Sequence, residues 1–401
     1  MRDIFIGRQA IYDSELKVYA YELLFRSSKT NNASGITNGD QATSTVISNA
    51  FMEIGLEDLV GSRLAFINLT SNFFLSDEKP PFSPEHVVLE VLENIKPDAD
   101  IIEGIQHLSK QGYAIALDDF VYDESLIPLV ELADIIKLDM RALGHDGIVE
   151  QMEILKPYPV KLVAEKIENQ DEFDFCKELG FDYFQGYFLC QPRVVKKRSL
   201  SPNRIAILQL LAEISQPDVD VKKLEALITQ DVTLSYKLLR YINSAFYSLP
   251  KKVESIQQGL VYLGLKTIKM WAYLLSMANI DDKPNELMVT AITRGKMCEL
   301  LAGHLGVRNS DTFFTVGIFS TLDAMMDMPM NEILNSLPLS TDIQDALLHH
   351  EGPAGEILKQ VIAYEQGLWS KVNNKGISTD QFTSAYLGAL SWADETCKQI
   401  N

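Results

Sequence analysis

An α/β barrel of the TIM type followed by an all-α domain is the architecture this sequence predicts, and three observations predict it. Short β-rich runs alternate with amphipathic stretches through the first half. Such alternation builds a mostly parallel sheet, and this many units favours closing it into a (β/α) barrel. From Arg204 onward the alternation is gone and nearly every segment has helical spacing. A chain of 401 residues also suits two domains, each of about 200 residues.

The elements follow in order. Asp3–Tyr12 and Leu16–Arg26 read as two strands joined at Asp13-Ser14-Glu15, a hairpin that would start the barrel with an irregular strand pair. Strand-like runs come next at Ala65–Asn68, Val87–Glu90, Ala114–Asp118, Ile135–Asp139, Leu162–Glu165 and Tyr183–Phe188, each bounded by polar residues. Between them Ile101–Gln111, Leu126–Leu132 and Glu172–Leu179 have helical spacing, the first with Ile101, Ile102, Ile105 and Leu108 on one face. Arg193–Asn203 is basic, contains serine and closes on Ser201-Pro202, which marks a linker. The expected division is therefore 1–193 for the barrel, 194–203 for the linker and 204–401 for the helical domain. In that second part helices are expected at Ile205–Ile214, Val221–Ile228, Leu234–Ala245, Ile256–Leu263, Thr267–Met277, Glu286–His304, Phe313–Met326, Asp342–His349 and Glu356–Ser370. Gly264 would close one of them as a C′ glycine.

Composition narrows the function. Hydrophobic residues make up 46% and charged residues 23%, ordinary for a globular protein, but the net charge is -19. Such a surface repels nucleic-acid phosphates and anionic lipid heads, which argues against a nucleic-acid polymer as partner while leaving room for a small phosphodiester on a local basic patch. The four cysteines, Cys176, Cys190, Cys298 and Cys397, form no CxxC motif. The first three lie in apolar surroundings that suit buried thiols in a reducing cytoplasm. The opening MRDIFIGRQA lacks the long apolar core of a signal peptide, and no run of 18 apolar residues predicts a membrane span.

Chemistry concentrates at the predicted strand ends. Glu22, Asn68, Glu90, Asp118, Asp119, Lys137, Glu165 and Gln185 all fall at or near the C-terminal ends of strands, and in a β/α barrel those ends converge on one mouth. A ring of carboxylates there costs Coulomb energy unless cations neutralise it. Oxygen ligands of this kind suit Mg²⁺ or Mn²⁺, and two such ions about 4 Å apart activate water and stabilise the leaving oxygen of a phosphodiester. A single acidic residue after a strand serves equally well as a helix N-cap or a solvated loop residue; the number of them at consecutive strand ends favours the metal reading. The residues alone support a metal-dependent barrel and no narrower reaction.

The same residues resemble a known family. Tyr21-Glu22-Leu23-Leu24-Phe25-Arg26 is similar to the ExLxR signature of EAL domains, with Leu23 where the family name has alanine. Ile67-Asn68-Leu69-Thr70 resembles its asparagine strand, Leu89-Glu90-Val91-Leu92-Glu93 its ExxE strand, and Leu117-Asp118-Asp119-Phe120 its DDF motif. Ile136-Lys137-Leu138-Asp139, Ala164-Glu165-Lys166-Ile167-Glu168 and Phe184-Gln185-Gly186-Tyr187-Phe188 with Pro192 resemble the lysine strand, the AExxE strand and the QGYxxxxP ending. The resemblance implies a phosphodiesterase that opens cyclic di-GMP to pGpG with two Mg²⁺ or Mn²⁺ ions. Glu22, Asn68, Glu90, Asp118, Asp119 and Glu165 would hold the metals, Lys137 would assist the attacking water, and Gln185 would position a water. Arg26 and Pro192 would lie on the substrate side, Arg26 gripping a phosphate, with Glu93 and Glu168 supporting loops and ligands from behind. One loop departs from the family. Where active members carry DFGxGxSS, this chain has Asp119-Phe120-Val121-Tyr122-Asp123-Glu124-Ser125, and Val121 lacks the conformational freedom of glycine. The alternative reading motivated by this loop is a barrel that binds cyclic di-GMP or a protein without turnover.

The second half resembles an HDOD domain. Thr229–Ser244 is similar to its Asp-to-Asn-Ser helix pattern and Val261-Tyr262-Leu263-Gly264 to its Leu-Gly segment. Where hydrolytic relatives place a His-Asp metal pair, this chain has Gly317-Ile318-Phe319-Ser320-Thr321. The resemblance implies a regulatory or interaction module without metal chemistry, binding an unidentified protein, and a homodimer is a further expectation. His349-His350 precedes Gly352-Pro353 and reads as a helix end, and Trp271, Trp369 and Trp392 read as core residues.

Overall fold

The computed structural model describes residues 4–27, 55–75, 80, 82–190, 202–216, 219, 221–230, 232–243, 253–278, 280, 283–307, 310–372 and 376–400. They fall into two compact units, Met1–Gln191 with Ala363–Ser384, and Pro192–Ile362 with Ala385–Asn401.

The first unit is a closed eight-stranded barrel. Its strands are β1 (Ile4–Asp13), β2 (Val18–Ser27), β3 (Leu64–Leu69), β4 (Val87–Val91), β5 (Ala114–Leu117), β6 (Ile135–Asp139), β7 (Lys161–Ile167) and β8 (Tyr183–Gly186). The expected opening hairpin is present. β1 runs antiparallel to β2, and Asp13 Oδ1 accepts from the backbone N–H of Glu15 and Lys17, both at 2.9 Å, which ties the turn. From β2 to β8 every neighbour is parallel, and β8 closes on β1 antiparallel with Ile11 opposite Gln185. The C-terminal ends of seven strands therefore share one mouth.

One side chain from each strand fills the barrel: Ile11, Ala20, Phe66, Val88, Ala116, Ile135, Val163 and Tyr183 pack as a single buried cluster. Strand side chains alternate faces with period two. The next inward position towards the mouth is thus two residues further along each parallel strand, and that rule lands on Glu22, Asn68, Glu90, Asp118, Lys137, Glu165 and Gln185. The apolar layer is the floor of the site.

Several boundaries differ from expectation for identifiable reasons. β5 stops at Leu117 because Asp119, at φ 43, turns the chain out of the sheet. β8 stops at Gly186 and gives way to a 3-10 turn at Phe188–Cys190. The β7–β8 register shifts between Ala164 and Ile167. There a Cβ on Gly186 would lie 2.1 Å from the Ile167 carbonyl oxygen, so only glycine permits the close approach. Ala363–Ser384, expected within the helical domain, belongs to the barrel unit: the Tyr364 hydroxyl donates to the Ile6 carbonyl at 2.7 Å and accepts from its N–H at 3.3 Å.

Among its described residues the second unit has helices and no strand, as expected. Its helices include Pro202–Ser215, Val221–Gln230, Val232–Ile242, Ile256–Ala278, Asn285–His304 and Thr341–His349. Ile256–Ala278 merges two expected helices across a kink at Gly264, whose φ of 80 is the left-handed value anticipated there. The expected helix Phe313–Met326 divides into Asp311–Phe319 and Leu322–Met326. Ser320 and Thr321 donate back to the carbonyls of Gly317 and Ile318 at 2.6 and 3.0 Å, which competes with helix continuation. Gly317 lies against Gly295, where an added Cβ would come within 2.6 Å of the Gly295 Cα, so the two backbones touch. Trp271 is fully buried, and Trp392 meets Phe314 edge to face at 5.8 Å. The four cysteines form no disulfide; Cys176 and Cys298 are buried, whereas Cys190 is half-buried. Among the described residues no helix is long and apolar enough to cross a membrane.

Gly186→Ala is expected to destabilise the barrel by about 1–3 kcal/mol, the range for a side chain forced into packed backbone. Urea unfolding of the two proteins measures it, and equal midpoints would contradict the close β7–β8 approach.

Candidate active site

Lys137 stands at the centre of the mouth. Alternation along β6 turns it inward above Ile135, and no part of its side chain is exposed. Its Nζ lies 2.6 Å from Glu90 Oε1, 2.7 Å from Glu165 Oε1, 2.8 Å from Asp118 Oδ1 and 3.3 Å from Glu22 Oε2. Glu22 is held further by the side-chain amides of Asn68, at 3.0 Å to Oε1, and Gln185, at 2.6 Å to Oε2. Gln185 also donates to Gln9 Oε1 at 3.0 Å. Side chains on or directly after all eight strands thus meet in one polar cluster.

The charges are unequally satisfied. Burial works against the Lys137 ammonium, but the surrounding carboxylates outweigh it and hold the group well above the ordinary lysine range. Burial also opposes ionised Glu22, yet Lys137, Gln185 and Asn68 together keep its carboxyl below the usual value. Burial dominates at the others: it pushes Glu90 well up, raises Asp118, and lifts Glu165 to about 8 against the pull of Lys137. One ammonium cannot balance four carboxylates.

Buried oxygens without a hydrogen-bond partner point to what would balance them. Asn68 Oδ1, Glu90 Oε2 and Gln185 Oε1 have none, and such atoms are costly unless a cation or water reaches them. The donor set is all oxygen, which fits hard divalent cations. Glu22, Asn68, Glu90, Asp118 and Glu165 could hold one ion where they converge. Oxygens of Glu93, Asp118 and Asp119 lie within 4.8 Å of one another and could hold a second. The residues present therefore fit a two-metal centre.

Asp118 and Asp119 diverge although adjacent. The Asp118 N–H donates to Val91 O at 3.0 Å and the Phe120 N–H to Lys137 O at 2.9 Å, so neighbouring strands hold the pair. Asp119, in a left-handed conformation, carries its carboxylate to Lys166, whose Nζ is 2.8 and 3.1 Å from the two oxygens and 2.6 Å from Asp139 Oδ2. The altered loop is tied by side chains. The Tyr122 N–H donates to Gln151 Oε1 at 2.8 Å, and Asp123 caps the turn Glu124–Leu126 by accepting from Ser125 N. Val121 is not among the left-handed residues and is half exposed. With Val91, Leu92, Ile95, Phe120 and Leu126 it forms an apolar pocket beside the Glu93–Asp118–Asp119 carboxylates.

The remaining expected residues are more scattered. Glu168 is exposed, faces Arg141 at 3.3 Å, and lies outside the cluster around Lys137. Arg26 pairs with Phe5 on β2, its side chain outside the described residues, as is Pro192. Gln9, Lys166 and Asp139 were not anticipated. Gln9 had a usable signal, since on the antiparallel β1 it sits two residues before the inward Ile11. Lys166 had none, because its position depends on a strand irregularity.

The chain is similar to known proteins. Residues 202–332 match the model of the HDOD domain and residues 63–192 that of the EAL domain. The uncharacterised protein YuxH of Bacillus subtilis is 33% identical over 403 residues, covering 97% of this chain and 98% of YuxH. Cyclic di-GMP phosphodiesterase CdgJ of Vibrio cholerae is 32% identical over 408 residues, covering 100% of this chain and 94% of CdgJ. Among solved structures, the EAL-domain protein YkuI of Bacillus subtilis is 18% identical, with a TM-score of 0.40 over 57% of this chain and 72% of that one.

Two outcomes follow from the charge balance. Glu90, Asp118 and Glu165 bind protons more tightly folded than unfolded, so between pH about 4.5 and about 8 the folded chain holds more protons. Metal-free stability must then fall as pH rises through that window, and saturating Mn²⁺, which binds the ionised carboxylates, should offset the fall. Urea midpoints measured across the window in EDTA and in Mn²⁺ check it; a midpoint rising with pH in EDTA would refute it. Separately, Lys137→Met should cost about 3–5 kcal/mol in EDTA, because removing one partner strands the buried charges of the others. Its urea midpoint beside that of the parent is the test.

Proposed function

This chain belongs to the EAL–HDOD family of two-domain proteins, and on that premise we propose that it is a metal-dependent phosphodiesterase that opens cyclic di-GMP to the linear dinucleotide pGpG. The observation that carries the reading is the cluster of carboxylates on Lys137 at the barrel mouth, with the oxygens of Asn68, Glu90 and Gln185 left unpartnered. The similarity to the cyclic di-GMP phosphodiesterase CdgJ along nearly the whole of both chains supports the substrate.

Two ions, Mg²⁺ or Mn²⁺, held by Glu22, Asn68, Glu90, Asp118, Asp119 and Glu165, would supply a nucleophile at neutral pH and stabilise charge on the leaving oxygen. The chain does the rest. Lys137 keeps Glu22, Glu90, Asp118 and Glu165 converged and assists the attacking water from beneath. Gln185 donates to Glu22 and leaves its Oε1 free to accept from that water. Arg26, whose guanidinium fork matches phosphate oxygens, and Pro192 would serve the substrate, as the family resemblance implies. Glu93 supports the loop after Asp119 and, with its carboxylate beside those of Asp118 and Asp119, could also reach the second ion; Glu168 reaches Arg141 at the start of the helix after β6. The water oxygen forms a bond to phosphorus, the P–O3′ bond breaks, and the released 3′ oxygen takes a proton. The product keeps a 5′-phosphate.

The helical unit supplies protein contacts in this reading. Ser320 accepts from Arg294 Nη1 at 2.8 Å, and the hydroxyls of Ser320 and Thr321 are engaged with backbone carbonyls. Those hydroxyls are taken up within a packed helix end; an interaction role for this unit, a cytoplasmic location and a homodimer are further parts of the same proposal.

The test is incubation of the purified protein with cyclic di-GMP and Mn²⁺ or Mg²⁺, with pGpG followed by chromatography. Turnover is expected, and Glu22→Ala or Glu165→Gln should lower it about 100-fold or more, the scale for loss of a group that stabilises the transition state. Tight binding without product at saturating metal would make the barrel a receptor and end the enzymatic reading.

A further inference from the structure

We propose that Lys166 is a tethered cation that competes with the second divalent ion for Asp119, and so sets how tightly that half of the site binds metal. The proposal rests on the two-metal reading above and concerns a residue that reading leaves without a role.

Lys166 follows Glu165, which points into the barrel. On a regular strand its side chain would face outward. It does not follow the rule because β7 is irregular there: Lys166 adopts φ 55, and the pairing with β8 shifts between Ala164 and Ile167. An irregularity of this kind re-aims a side chain, and a lysine in the left-handed region is strained. Gly186 accommodates the distortion from the facing strand, since a Cβ there would strike Ile167 backbone. Asp119 is left-handed as well, at φ 43. A strained residue just past β5 and one on β7 thus meet, and what they gain is one ion pair spanning both Asp119 oxygens, at 2.8 and 3.1 Å.

The ion pair lies where a second metal would need the same oxygens. Asp119 shares its cluster only with Glu93 and Asp118 among the described carboxylates, histidines and cysteines, and Asp118 already faces Lys137 at 2.8 Å. A divalent ion on Asp119 would meet a like charge within a few ångströms, so Lys166 must withdraw first. It has somewhere to go. Its side chain is 48% exposed, and Asp139 Oδ2, 2.6 Å away and 13% exposed, holds the ammonium without Asp119. Asp139 is anchored in turn by accepting from the N–H groups of Arg141 and Ala142. Lys166 is therefore a positioning residue acting through Asp119, with Asp139 as its resting place.

The test is Mn²⁺ binding to the full chain, read by the electron paramagnetic resonance of free Mn²⁺, without substrate or turnover. The parent should bind two ions, the second more weakly. Lys166→Gln, which removes the charge, and Lys166→Gly, which also removes the strain, should each tighten the second ion about fivefold, the worth of a partly exposed ion pair. Lys166→Arg, which keeps the charge, should stay within about twofold of the parent. Asp139→Asn should weaken the second ion, because Lys166 then loses its alternative partner. An unchanged or weaker second ion in Lys166→Gln overturns the proposal. Unchanged Mn²⁺ binding with reduced cyclic di-GMP affinity in that variant would make Lys166 a substrate contact and equally overturn it. A parent that binds no Mn²⁺ would sink the two-metal reading itself, an outcome distinguishable from the other two.

Discussion

A lysine ammonium with no exposed surface survives only where negative charge converges on it, and the mouth of this barrel is organised around that requirement. Lys137 gathers carboxylates from β2, β4, β7 and the end of β5. Taken alone the arrangement is unfavourable: burial lifts three of the four acids, and buried oxygens on Asn68, Glu90 and Gln185 lack partners. A buried cluster of this kind is weak evidence for stability. It makes sense as a site kept ready for cations, in which the lysine prevents the carboxylates from repelling one another apart before metal arrives.

The barrel supplies the geometry through a simple periodicity. One apolar side chain per strand forms the floor, and the residue two positions on forms the polar layer above it. The floor keeps water from reaching the charges from below, and the fixed strand ends hold ligands more rigidly than loops could. Closure between β8 and β1 brings Gln185 and Gln9 together, so even the antiparallel strand contributes to the layer.

Above that layer the structure departs from regularity, and the departures lie where chemistry is expected. Asp119 and Lys166 are both left-handed, β7 loses its register with β8, and the loop after Asp119 is tied by Gln151 and Asp123 instead of by glycines. Strain of this kind persists only where surrounding contacts over-determine it. The loop that departs from the family pattern is thus neither unsupported nor the location of the strain: the strained residue is Asp119, inside the shared DDF motif.

What the sequence by itself determined is whatever follows from local periodicity. The β–α alternation, the hairpin at Asp13, the helical second half, the break at Gly264 and the inward positions of Glu22, Asn68, Glu90, Asp118, Lys137, Glu165 and Gln185 were all legible, because period-two and helical spacing are properties of neighbouring residues. The tertiary structure decided the rest. Lys166 reaches Asp119 and Asp139 only because β7 is irregular against β8, Glu168 turns to Arg141 instead of joining the polar cluster, and Tyr364 returns from far along the chain to bond Ile6. Each of these depends on the register and closure of distant strands, which residue spacing does not encode.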